Sequence, residues 1–252
     1  MAMGPELTLA IAEKRFGAAE PPLFRDFRLS VAPSSVVALV GPSGVGKSTL
    51  LRLVGGIDRD FSGNIDVGGV AAAAAPPAGY LFQDPRLLPW LSALDNVRAV
   101  VPGSGPEAAQ ELLRTVGLAG RKRAFPHQLS GGMQRRVALA RAIHANRHFW
   151  LLDEPFVSLD PDLVLELQRL FLALVKRQSS TVLLVTHIAE EAARLAHRAV
   201  VIDGRPVRIT ADLALPGDPV ARSAEQVLEL AALVKGRLRS RAGDEDATGP
   251  GA

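Results

Sequence analysis

Two stretches of this 252-residue chain hold residues suited to phosphate chemistry. Gly41, Pro42, Ser43, Gly44, Val45, Gly46, Lys47, Ser48 and Thr49 follow the pattern G-x-x-x-x-G-K-[ST]. Glycines at those positions let successive backbone N–H groups turn inward around an anion, and a helix beginning there adds the positive end of its dipole. Lys47 supplies a point charge for β and γ phosphates, and Ser48 offers a hydroxyl to Mg²⁺. A dinucleotide fingerprint is excluded, because Gly44 and Gly46 are followed by Thr49 where a third glycine or alanine is needed. The second stretch ends in Asp153 and Glu154, adjacent carboxylates after an apolar run. Asp153 can hold the Mg²⁺, and Glu154 can polarise an attacking water as general base. These residues imply a nucleoside triphosphate and Mg²⁺; kinases, GTPases and motor ATPases all remain open.

Such residues need rigid elements behind them. Residues 36–40, 149–152 and 181–185 are short continuous apolar runs, the pattern of strands buried on both faces of a parallel sheet. The first leads into the glycine-rich loop and the second into Asp153. Residues 6–11, 27–31 and 64–70 alternate apolar with polar, as half-exposed antiparallel strands do. Residues 161–177 open on Asp160 as N-cap and Pro161 at the first helical position, then place Leu163, Leu167, Leu170, Phe171 and Leu174 on one stripe. Strands alternating with helices predict an α/β fold. Between residues 84 and 146 the strand signal gives way to helices, among them 107–116, which reads as a helical insertion. Residues 71–75 read as a loop, residues 1–240 as one domain, and 241–252 as a frayed, flexible tail.

Composition narrows the class further. Apolar residues at 48% and charged residues at 22% exclude a disordered or collagen-like chain. With no cysteine there is no disulfide framework, thiol nucleophile or cysteine-ligated zinc. The net charge is +3 and arginines outnumber lysines 24 to 5, so a small surplus persists far up the pH scale. The resulting pI of 9.7 is therefore only weak evidence for nucleic-acid binding. No apolar run approaches the ~18–20 residues that span a bilayer, and no signal peptide is visible, so the chain is expected to be soluble and unexported.

Just before the acidic strand stand Leu129, Ser130, Gly131, Gly132, Met133 and Gln134, continuing through Arg135 to Arg141. Ser130 can cap a helix, and two glycines admit close approach of a phosphate. This run resembles the LSGGQ signature of ATP-binding cassette (ABC) transporter ATPase subunits, with Met133 at its fifth position. Over roughly residues 6–210 the other motifs of that family follow in order. Phe16 stands where an aromatic stacks on adenine, as an alternative to packing in the core. Gln83 matches the Q-loop glutamine that reaches Mg²⁺ and the attacking water. Ser158, Leu159 and Asp160 match the D-loop, and His187 the switch histidine at the γ phosphate. Ile188 departs from the Asp common after that histidine. Gln83, Asp84, Pro85, Arg86, Leu87, Leu88, Pro89 and Trp90 are most similar to the subgroup of importers for nitrate, taurine and aliphatic sulfonates, with Leu88 and Trp90 either an exposed apolar surface for a partner or packed within the helical insertion.

The resemblance implies a RecA-like P-loop NTPase core carrying an antiparallel β subdomain and a helical subdomain. It implies ATP and Mg²⁺ as cofactors, with Ser48, Gln83 and Asp153 at the metal and Glu154, Gln83 and His187 in catalysis. It also implies a homodimer, because one chain holds one P-loop and one signature while each site of the family uses the P-loop of one subunit and the signature of the other. Two integral membrane permease subunits, and through them a solute-binding protein, are the implied partners, at the cytoplasmic face of the membrane and without nucleic acid. A soluble cassette ATPase acting on nucleic acid or ribosomes is the alternative; the two cassettes or long coiled-coil insertion usual there are not visible.

Overall fold

Three short runs dominated by apolar side chains form the centre of the molecule in this computed structural model, which describes residues 3–17, 19–157 and 160–239. They are β3 (Val36–Val40), β7 (Phe149–Asp153) and β8 (Thr181–Thr186), every residue of which is buried. With β6 (Gly79–Leu81), β9 (Arg198–Asp203) and β10 (Arg208–Ala214) they make a six-stranded sheet in the order β10-β9-β3-β8-β7-β6. All its pairings are parallel except β10 with β9 at the edge.

Burial on both faces requires two cores, and the side chains alternate between them as the pleat demands. Val36, Ala38, Val40, Trp150, Leu152, Val182 and Leu184 face a cluster built with the helices. Val37, Leu39, Phe149, Leu151, Leu183 and Val185 face the other cluster, with Leu50, Leu51, Leu53 and Val54 of α1 (Lys47–Val54) and the antiparallel sheet. That sheet comprises β1 (Leu7–Lys14), β2 (Phe24–Val31), β4 (Ser62–Val67) and β5 (Val70–Ala71), ordered β2-β1-β4-β5.

The helical segment supplies α2 (Ala93–Arg98), α3 (Pro106–Thr115) and α4 (Gly131–His144). After β7 come α5 (Pro161–Gln178), α6 (Ala189–Leu195) and α7 (Ala224–Arg239). Several sequence expectations need correction. The strand expected over 64–70 is two strands, split by Gly68 and Gly69, whose positive φ angles of 64° and 88° turn the chain back as a hairpin. Ala71, expected in a loop, pairs in β5. Gln83 lies two residues beyond β6, in the loop that follows it. The expected D-loop residues Ser158 and Leu159 and the expected tail 241–252 lie outside the described residues. No helix among the described residues is long and apolar enough to cross a membrane.

Candidate functional site

The loop after β3 and the end of β7 lie at the C-terminal edge of the parallel strands, where open α/β sheets bind ligands. Two glycines shape the loop for different reasons. At Gly41 an added Cβ would fall 2.4 Å from the carbonyl oxygen of Ile202, so no side chain fits. Gly46, at the N-cap of α1, has φ of 113°, a conformation that strains any L side chain. The N–H groups of the first turn of α1 have no intrahelical partner and point out of the helix end. They open on a cleft of about 290 Å³ lined by Ser43, Gly44, Gly46, Lys47, Ser48, Thr49, Gln83 and Glu154. Pro42 and Val45 belong to the loop but do not line the cleft.

Lys47 is 5% exposed, and its Nζ donates to the carbonyls of Gly41 and Pro42, both at 2.8 Å. Burial lowers its pKa, an effect that the charges of Glu154 and Asp153 oppose. Asp153 is buried, and Ser48 Oγ donates to its Oδ1 at 3.0 Å. Burial raises the Asp153 pKa against the Ser48 hydrogen bond, and the Glu154 charge adds to the rise. A buried carboxylate facing a hydroxyl, with the Gln83 side chain on the same cleft, is an all-oxygen donor set that suits Mg²⁺. Among the described residues no three His, Cys, Asp or Glu gather as a metal cage. Mg²⁺ does not need one, since it is usually held by one or two carboxylates together with substrate phosphates.

Glu154 leaves the strand with φ of 49°, a left-handed conformation rare for a residue with a Cβ. Backbone outliers of this kind cluster at functional sites. Its N–H still donates to the carbonyl of Val185 on β8, at 2.9 Å, so the bend is anchored. The carboxylate bridges two residues from distant loops. Oε1 lies 2.9 Å from His187 Nδ1, and Oε2 accepts from Gln83 Nε2 at 3.4 Å. A carboxylate only accepts, so Nδ1 is the donor in this contact. Gln83, Glu154 and His187, far apart in sequence, therefore meet on one carboxyl group.

The signature residues do not join them. Ser130 caps α4, its Oγ accepting from Met133 N–H at 3.3 Å, and Ser130 and Gly131 are exposed. Gln134 turns back, donating to the carbonyls of Pro126 and Leu129. Neither these residues nor Gly132 and Met133 line the cleft. Phe16 is 60% exposed, with Lys14 Nζ 5.3 Å from its ring centre, so it is not a core residue. Trp90 is 70% exposed, and Leu88 is half-buried.

Sequence reading missed the residues that bind these parts together. Arg141, one helix face along from the signature, donates to the carbonyls of Pro85 and Arg86 at 2.8 Å each, and Arg135 donates to the carbonyl of Val157. One helix thus touches both the loop after Gln83 and the loop after Glu154. Asn96, fully buried, accepts from Leu88 N–H and donates to the carbonyls of Leu88, Leu91 and Ser92, holding the turn beside Trp90. An apolar run flanking such residues was the only signal available, and it does not reveal side-chain-to-backbone bonds.

Comparison with known proteins agrees with this geometry. The sequence pattern of the ABC transporter family matches residues 24–157. Over 237 residues the chain is 42% identical to the aliphatic sulfonates import ATP-binding protein SsuB 2 of Burkholderia lata, covering 93% of this chain and 85% of that protein. It is 36% identical over 209 residues to the SsuB of Bacillus subtilis, covering 81% and 82% respectively. The fold is similar to the dimeric structure of the bacterial ABC transporter cassette MJ0796, with a TM-score of 0.76 and 27% identity over 84% of this chain and 99% of that one. The same cassette in a post-hydrolysis state bound to ADP and Pi matches with a TM-score of 0.75. The chain belongs to the ABC transporter family, as an ATP-hydrolysing cassette of P-loop NTPase fold.

Proposed function

We propose that this chain is the ATPase subunit of an importer for aliphatic sulfonates or for taurine- or nitrate-type solutes. It works as a homodimer beneath two integral membrane permease subunits, at the cytoplasmic face of the membrane and served by a solute-binding protein. The observation that carries the reading is a divided site. The phosphate loop, Asp153, Glu154, Gln83 and His187 converge, while the capped, glycine-lined N-terminus of α4 does not line their cleft. A helix N-terminus of that kind is an anion-binding group in need of a phosphate, and a second copy brings one. The solute class is supported by the names of the sulfonate-importer relatives.

Each residue then has a task. Lys47 and the first-turn N–H groups of α1 bind the β and γ phosphates, and Phe16 offers its exposed ring to adenine. Ser48, Asp153 and the amide oxygen of Gln83 hold Mg²⁺, which when bound neutralises phosphate charge. Glu154 takes the proton of the attacking water, and His187, bonded to it through Nδ1, keeps its carboxylate aimed and presents Nε2 toward the γ phosphate. Ser130, Gly131, Gly132, Met133 and Gln134 close over the phosphates of the partner copy. Deleting the gene should abolish growth on an aliphatic sulfonate as sole sulfur source while leaving growth on sulfate intact. Unchanged growth on sulfonates, taurine and nitrate, with the protein sedimenting with RNA in place of membranes, would contradict the assignment.

A further inference from the structure

Helix α6 begins immediately after His187, and its N-cap residue is Ile188, which has no side-chain atom able to accept a hydrogen bond. The short loop carrying the histidine therefore lacks the usual fastening. In a capping box the third helical residue reaches back to the N–H of the N-cap. That third residue is Glu191, and it reaches the N-cap by a relay. Ile188 N–H donates to Thr186 Oγ at 3.0 Å, and the same hydroxyl is hydrogen-bonded to Glu191 Oε2. Thr186 and Ile188 are the two neighbours of His187, so both sides of the histidine are tied to one carboxyl group. The hydroxyl and carboxyl of the relay are buried, with Thr186 fully buried and Glu191 4% exposed, while Ile188 at its other end is 36% exposed.

The other carboxyl oxygen, Glu191 Oε1, is buried with no hydrogen-bond partner among the described residues. Burial raises the pKa of this group to about 7, with the Glu154 charge adding to the rise and the Thr186 bond opposing it. A buried orphan oxygen is a cost that a purely space-filling side chain would not carry. We infer that Glu191 is a positioning residue for hydrolysis, acting through Thr186 to hold the loop that presents His187 to Glu154. The catalytic consequence rests on the proposed role of His187; the positioning itself does not.

The full-length protein tests this with Glu191→Ala, Glu191→Gln, Thr186→Val and the double variant Glu191→Ala/Ile188→Asp. Amide exchange at Ile188, read by NMR, reports the loop, while kcat and the ATP dissociation constant are measured separately. Glu191→Ala and Thr186→Val should each speed Ile188 exchange about tenfold, the shift expected from one lost hydrogen bond, and lower kcat with ATP affinity unchanged. Glu191→Gln keeps a neutral group of the same shape and should resemble the parent in both readouts. Ile188→Asp supplies a side-chain cap and should restore part of what Glu191→Ala loses. Should Glu191→Ala fail to fold, Thr186→Val and Glu191→Gln still decide the matter. Unchanged Ile188 exchange in Glu191→Ala or Thr186→Val, or a Glu191→Gln loop as loose as the alanine variant's, overturns the proposal. Faster exchange with unchanged kcat upholds the positioning and removes His187 from the reaction.

Discussion

At the scale of single residues the proposed site separates binding from chemistry. Lys47 is held against loop carbonyls on the phosphate side of the cleft, whereas Glu154 is gripped by His187 and Gln83. Glu154→Gln should therefore bind ATP as the parent does and lose turnover by at least the ~10²-fold typical of a general base, while Lys47→Ala should weaken ATP binding itself. Equilibrium binding and single-turnover assays check both, and near-normal hydrolysis by Glu154→Gln would remove it as the base. Glu191 makes a second prediction, in stability. Its carboxyl rises from an ordinary 4.5 to about 7 in the fold, through burial and then the charge of Glu154. Between those values the folded protein keeps a proton that the unfolded chain has released, so this group's stabilisation is complete below pH 4.5 and is lost as pH rises through 7. Glu191→Gln should flatten that slope and be relatively more stable than the parent at pH 8, as denaturant titration across the range would show. The phosphate loop was legible in the sequence because its chemistry is contiguous. Glu191 was not, because its role depends on burial and on a relay through Thr186.

At the scale of elements, α4 ties the loop after Gln83 to the loop after Glu154. Its Arg141 bonds to the chain at Pro85 and Arg86, two and three residues past Gln83. Arg141→Ala should cost about 1–3 kcal/mol through the lost charge-assisted bonds, and should also loosen Gln83, seen as faster exchange in residues 83–88. The neighbouring turn presents Trp90 to solvent on a frame fixed by buried Asn96. Trp90→Ala should leave stability within about 0.5 kcal/mol and basal ATPase activity unchanged, yet reduce stimulation by the permease in reconstituted vesicles. If basal activity falls instead, the tryptophan serves the cassette itself. Strands β3, β7 and β8 were legible because burial on both faces writes a continuous apolar run. β10 was missed although Arg208–Ala214 alternates polar with apolar residues, because at the sheet edge even its apolar side chains stay exposed or half-buried and short alternation of small residues is a weak signal. Of the two readings open for the turn at Trp90, exposed surface or packing, Trp90 follows the first, while Leu88, whose backbone is bonded to Asn96, is half-buried.

At the scale of the whole molecule, one chain carries each motif once, and the described residues keep the signature helix out of the phosphate cleft. The central claim is that two copies complete each other's sites. The direct test mixes two inactive variants, Lys47→Ala with a broken phosphate loop and Ser130→Arg with bulk and charge at the cap of α4. In a mixed dimer one site carries both lesions, and the other joins an intact phosphate loop to an intact signature. Random exchange makes half of the dimers mixed, so about a quarter of all sites should recover ATP occlusion, against none in either variant alone. Mixed dimers shown to form, yet occluding no ATP, would contradict the claim.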